Sequence, residues 1–203
     1  MRLLFDTDAF CKVALCGLLD DTRSMFDVTI SDCGRLAALP HMLRRGRLRK
    51  QLGNVVCDSL ISQAETMPVM HAPDTALLDL LSPIVDIDSG EAQLFALAVE
   101  RSLLVITGDK RALKAVKSIG PVCNGLHGRV IVMEALLMNL IFQQGVEVIR
   151  SRIRPLMYLD TSMKICFSPS NPDPVSALGS YYADLAKEVE PLRLWAPSLP
   201  GIS

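Results

Sequence analysis

The tightest constraint on this chain is a unit that occurs at least twice: a short apolar run, a carboxylate at its end, then a helix-forming stretch. Leu103-Leu104-Val105-Ile106 leads into Thr107-Gly108-Asp109 and a helical stretch over 110–118. At the start, Leu3-Leu4-Phe5 stops at Asp6-Thr7-Asp8, and 9–19 is apolar nearly all round apart from Lys12. Apolar runs this uniform belong to strands buried on both faces. Strands that alternate with helices become parallel neighbours, because each crossover helix covers a face of the sheet. The expected class is α/β, with a central parallel sheet covered on both sides.

Other elements follow from the same signals. Asp88-Ser89-Gly90-Glu91 opens a helix that runs to about residue 101, 83–87 reads as extended, 121–123 as a further strand, and 128–144 as a long apolar helix. Between 20 and 80 the pattern is irregular, with helices expected near 32–50, 52–64 and 74–81. The character changes after Gly145. Residues 146–154 form a basic helix candidate, 168–174 a proline-rich linker, and 176–189 a helix with the stripe Leu178, Tyr181, Tyr182, Leu185 and Val189. The division expected is a domain over 1–145, enlarged by helices at 20–80, and a mostly helical C-terminal extension over 146–203. The stripe docks either on its own chain or on a second copy, so a homodimer is one candidate assembly.

Half the residues are hydrophobic but only 5% are aromatic, so the core must be mainly aliphatic. A net charge of -1 gives no global field to attract a polyanion, and nucleic-acid binding would need local clusters. The six cysteines form no C-x-x-C pair and several sit in apolar runs, which suits buried reduced thiols better than disulfides or zinc. The N-terminus meets Asp6 too early for a signal peptide, and the apolar stretch 130–142 is interrupted by Glu134 and too short for a bilayer. A cytoplasmic protein with no membrane partner is expected.

Asp6, Glu91 and Asp109 each lie at a strand-to-helix turn or a helix start. Taken singly, each is explained by capping: Asp88 with Glu91 fits a capping box, and Asp109 and Asp6 can each cap the helix that follows. Taken together, they point elsewhere. Ligands of doubly wound sheets bind outside the carboxyl ends of the strands. Carboxylates gathered there repel one another unless a cation lies between them. Hard oxygen donors suit Mg²⁺ or Mn²⁺.

Leu3-Leu4-Phe5-Asp6-Thr7-Asp8-Ala9-Phe10 resembles the opening strand and first catalytic aspartate of PIN domains. Gly90-Glu91-Ala92-Gln93-Leu94-Phe95-Ala96-Leu97-Ala98 is similar to their Gly-Glu-Ala helix. Leu104-Val105-Ile106-Thr107-Gly108-Asp109-Lys110-Arg111-Ala112 resembles the strand and acidic turn that follow. The likeness covers the first ten residues and about 84–128, is weak between them, and is absent after about 145. It implies a three-layer α/β/α, Rossmann-like PIN fold and metal-dependent cleavage of a phosphodiester, usually in RNA. Asp6, Glu91 and Asp109 would then be catalytic and hold Mg²⁺ or Mn²⁺, with Asp8 as a further candidate ligand and Thr7 and Thr107 as supporting hydroxyls. The chain departs from the family where another carboxylate is usual. Ala37-Ala38-Leu39-Pro40-His41-Met42-Leu43 has none, and Asp32, Asp58 or Glu65 are the candidate substitutes.

Two basic groups are candidates for RNA contact. One is Arg44, Arg45, Arg47, Arg49 and Lys50; the other is the face with Lys110 and Lys114, continued by Lys117. The first is as compatible with a solvated helix end, and the second fits a plain solvent-facing stripe better than a steering face. No aromatics interleave with them for base stacking. His127 lies in a loop that is a candidate for the same sheet edge. Three functions are therefore expected, in this order: a metal-dependent ribonuclease, a catalytically silent PIN-like module that binds nucleic acid or protein, and a haloacid-dehalogenase-like phosphatase using Asp6-Thr7-Asp8.

Overall fold

The computed structural model describes residues 2–45, 47–71, 73 and 75–197, with Arg47 described by its backbone alone. Four strands form one parallel sheet: β1 (Leu3–Phe5), β2 (Cys33–Arg35), β3 (Leu104–Ile106) and β4 (Val130–Ile131), in the order β2-β1-β3-β4. Because successive side chains alternate faces, each strand feeds two cores. Leu3, Phe5, Ile106 and Ile131 point into one. Leu4, Val105 and Val130 point into the other. The α/β class and the covered parallel sheet are as the alternation of elements predicts.

On the first face lie α1 (Thr7–Leu15), α3 (Ala38–Arg44), α5 (Asn54–Glu65) and α10 (Met133–Gln144), which bring in Phe10, Leu39, Leu60 and Leu136. On the second lie α7 (Ser89–Glu100), α8 (Lys110–Val116) and α9 (Gly120–Leu126), through Phe95, Leu113 and Val122. The shorter α2 (Leu19–Met25), α4 (Arg47–Leu52) and α6 (Thr75–Leu81) fill the 20–80 region. The 9–19 helix divides where Gly17 turns the chain at φ +63, a conformation glycine adopts without strain.

The structure departs from the sequence expectation in three further places. Cys33-Gly34-Arg35, expected to be helical, is β2: pairing with Leu3–Phe5 overrides a tripeptide with no strand signal of its own. The 121–123 run is part of α9, with Pro121 in its first turn, and the strand falls instead at Val130–Ile131. Residues 83–87 form turns between α6 and α7 instead of an extended segment. Local patterns in segments this short do not distinguish a strand from a buried helix turn, and sheet pairing decided the first two cases.

The C-terminal helices α11 (Val146–Arg152), α12 (Thr161–Cys166) and α13 (Pro174–Glu188) share these cores. Ile149, Ile153, Met163 and Leu178 join the first; Leu185, Val189 and Leu194 join the second. The stripe on α13 is thus buried on its own chain, where the helix packs along α10. Beyond it, Leu194 forms a parallel bridge with Val130, and the Trp195 amide donates to the Val130 carbonyl at 2.8 Å. Val69 bridges Arg35 at the other side of the sheet, so both edges are covered. Among the described residues no helix is long and apolar enough to cross a membrane.

Gly125 of α9 packs directly against Val99 of α7. A Cβ there would lie 2.6 Å from Val99 Cγ1. Gly125→Ala is expected to destabilise the fold by about 1–3 kcal/mol through overpacking, measured by urea denaturation. Unchanged stability would mean that the two helices part easily.

Candidate active site

The parallel register sets the site. Phe5 pairs with Ile106, and the Asp6 amide donates to the Ile106 carbonyl at 3.0 Å. Asp6 and Thr107 therefore leave neighbouring strands at the same level, at the carboxyl edge of the sheet. Asp6 stands at the N-cap of α1 with extended backbone, yet its side chain makes no capping hydrogen bond. Capping thus does not account for this carboxylate. Burial pushes its pKa up to about 6, and the charges of Asp8, Asp109 and Asp88 push the same way.

Asp88 and Glu91 form the expected capping box of α7. Asp88 Oδ1 accepts from the amides of Gly90 and Glu91, both at 2.8 Å, and the Asp88 amide donates to Glu91 Oε2 at 2.7 Å. Asp109 caps α8, accepting from the amides of Arg111 at 2.8 Å and Ala112 at 3.0 Å. Capping does not exhaust these side chains, because Glu91 and Asp109 also meet. Burial raises the Glu91 pKa to about 7, and the shared hydrogen bond with Asp109 and that residue's charge add to the rise. Burial would raise Asp109 too, but the Ala112 amide, the Glu91 carboxyl and the Arg111 amide and guanidinium outweigh it and hold its pKa below the ordinary value. The two carboxyls are thus placed to share a proton, with Glu91 the weaker acid of the pair.

Asp8 is exposed and forms an ion pair with Lys12 at 2.8 Å; Lys12 also binds Asp160 at 2.6 Å. A Cβ on Gly108 would be 3.6 Å from Asp8 Oδ2 and 3.9 Å from Lys12 Nζ. This pair therefore overlies the Thr107-Gly108-Asp109 turn. Thr107 is fully buried, and its hydroxyl accepts from the Asp109 amide at 3.3 Å, which holds the turn in shape. Thr7 faces α3, its hydroxyl 3.8 Å from Met42 Sδ.

Several expected contributors lie elsewhere. Asp32 precedes β2 and His127 precedes β4, so both belong to the opposite edge of the sheet; His127 Nδ1 accepts from the Arg193 amide there. Glu65 pairs with Arg44, and Asp58 pairs with Arg49. Of the basic group at 44–50, Arg45 and Lys50 remain exposed, while the Arg47 side chain lies outside the described residues. Leu48 and Leu52 of the same region line a small cavity with Asp8 and Lys12, so α4 flanks the site. Lys110 and Lys114 are engaged by the C-terminal half of the chain. Lys110 pairs with Glu134 at 3.2 Å and lies 5.4 Å from the centre of the Tyr181 ring; Lys114 pairs with Glu188 at 2.8 Å.

Three site neighbours escaped the sequence reading: Lys12, Asp160 and Glu134. Two of them carried a signal. Lys12 and Glu134 are lone charges in apolar stretches that directly follow strands β1 and β4, and such a charge must find a partner at the sheet edge. Asp160 had none, since its partner is remote in sequence.

Among the described residues no three or more acidic, histidine or cysteine side chains close around a single point where an ion could sit. The donor chemistry nonetheless fits a hard divalent cation. Asp6, Glu91 and Asp109 offer carboxylate oxygens only. Burial is the first cause of the raised Asp6 and Glu91 pKa values and the neighbouring acids add to it; a bound cation would favour the ionised forms against both. Comparison with protein-family models, curated proteins and solved structures gives no match.

Proposed function

We propose that this chain is a PIN-like, metal-dependent phosphodiesterase that cleaves RNA, with Asp6, Glu91 and Asp109 as the residues that hold Mg²⁺ or Mn²⁺. One observation carries the reading: an Asp6 side chain not used as a cap, its pKa raised by burial and by neighbouring acids, beside a Glu91–Asp109 carboxyl pair at the carboxyl edge of a parallel sheet. A bound divalent ion would supply an activated water and stabilise charge on the phosphate and leaving oxygen. The chain's own contribution is to orient the acids. Thr107 and the amides of α8 hold Asp109, the capping box holds Glu91, and Lys12 offsets the charge of Asp8.

Asp109→Asn tests the reading cleanly, because asparagine caps a helix as well as aspartate does while offering a weaker metal donor. Cleavage of a generic single-stranded RNA in Mn²⁺ is expected to fall by more than about 100-fold with the melting profile retained. Equal activity in both proteins would assign the cleavage to a contaminant.

A second reading, a silent PIN-like module that binds RNA without cutting it, is favoured by one feature of the site. Glu91 and Asp109 are both already committed to helix caps, and no three acids converge on one point among the described residues. RNA retained without cleavage in Mn²⁺ would select this reading.

A further inference from the structure

A cleft of about 820 Å³ lies in the C-terminal part of the chain. Its lining includes Arg150, Arg154, Tyr158, Leu159, Asp160 and Lys164. Two of these charges are internally satisfied. The Arg150 guanidinium donates to the carbonyls of Phe167, Ser168 and Asn171, each at 3.2 Å, and lies 3.4 Å from Glu147. Asp160 is held by Lys12. Arg154 and Lys164 are exposed, and among the described residues neither side chain has an ion-pair or hydrogen-bond partner. Beside them Tyr158 is 91% exposed.

A ring this exposed offers a free face for stacking, and two cations without a counter-charge in the same cleft favour an anion. A flat, repeating polyanion meets both demands: phosphates on Arg154 and Lys164, and a base on the Tyr158 ring. The position supports the same occupant. Asp160 lines the cleft and binds Lys12, which binds Asp8 above the Gly108 turn. A strand lying in the cleft therefore passes one salt bridge from the carboxylate edge.

We infer that this cleft is a binding site for single-stranded RNA, with Tyr158 stacking on a base and Arg154 and Lys164 neutralising flanking phosphates. The inference rests on the proposed nuclease function for the choice of RNA over other polyanions. It supplies the interleaved aromatic that no basic run of the sequence contains, because the three residues are brought together by the 3-10 turn Arg154–Tyr158 and α12.

The test is fluorescence anisotropy of a labelled oligouridylate with the full chain carrying Asp109→Asn, so that cleavage does not intrude. Arg154→Ala with Lys164→Ala is expected to weaken binding more than about tenfold and to reduce the log–log salt slope by about 1.4, the effect of two lost phosphate contacts on a single strand. Tyr158→Ala is expected to cost about tenfold with the salt slope unchanged, and Tyr158→Phe to bind as the parent does. All three positions are exposed, and thermal melts identify any variant that fails to fold. The inference is overturned if the parent does not bind, if these variants bind as it does, or if duplex RNA or polyglutamate competes equally well. Cleavage by the wild-type chain is scored separately. Cleft-dependent binding without cleavage defeats only the nuclease reading, and cleavage indifferent to the cleft variants defeats only this one.

Discussion

Asp6→Asn is expected to melt several degrees above the wild type at pH 7 in the absence of divalent metal, and to lose RNA cleavage. The ionised Asp6 carboxylate is unfavourable where it stands, because burial and three neighbouring acids raise its pKa from 3.8 to about 6. That rise corresponds to about 3 kcal/mol against the charged form. Residual solvent contact and the burial of an amide in its place reduce the gain to about 1–2 kcal/mol. For a chain of this size that is roughly 2–8 °C.

The sign of the pH dependence is fixed by the direction of the shift. A carboxyl with a raised folded-state pKa binds its proton more tightly when folded, so its contribution is fully present below about pH 3.8 and is lost as pH rises through about 6. Glu91 acts the same way between 4.5 and about 7. Metal-free wild type should therefore lose stability between about pH 4 and 7, and the advantage of Asp6→Asn should grow over that window. Mn²⁺ should raise the wild-type melting temperature by mass action and leave the variant nearly unmoved. If Asp6→Asn melts at or below the wild type at pH 7, the carboxylate is not under charge strain and the metal proposal loses its main support.

Lys12→Met is expected to destabilise the chain by about 3 kcal/mol, with a fall in melting temperature on the order of 5–10 °C. Methionine keeps most of the buried stem of the side chain, so the loss comes from the charges left behind. The side chains of Lys12 and Asp160 are each 16% exposed, whereas that of Asp8 is 55% exposed. Water can solvate an orphaned Asp8, but Asp160 would stay largely buried and uncompensated. Burial alone would raise the Asp160 pKa; Lys12 and the amides of α12 outweigh burial and depress it. The pair therefore stabilises the fold above the ordinary carboxylate range and ceases to do so as pH falls through the depressed value. The difference between Lys12→Met and wild type should be greatest near neutrality and vanish in strong acid. Adding Asp160→Asn, which retains the cap of α12 through Met163, should restore much of the loss. A double variant as unstable as Lys12→Met alone would mean that the lysine acts through packing and not through its partner.

The sequence by itself determined the frame and the first-order chemistry. Uniform apolar runs ending in Asp6 and Asp109 required buried parallel strands, and two carboxylates at strand ends had to emerge at one edge. The capping box at Asp88 and Glu91 was legible because it is a local, four-residue pattern. The tertiary structure alone decided whatever depends on distant pairing. Cys33-Gly34-Arg35 is a strand only because β1 supplies its hydrogen-bond partner. The Glu91–Asp109 contact depends on how α7 packs on the sheet. Lys12 meets Asp160 across 148 positions of chain, and that pair places the cleft of Arg154, Tyr158 and Lys164 beside the sheet edge. Local rules specify helix starts and strand ends through neighbouring backbone groups. They carry no information on which remote charge will satisfy a buried one.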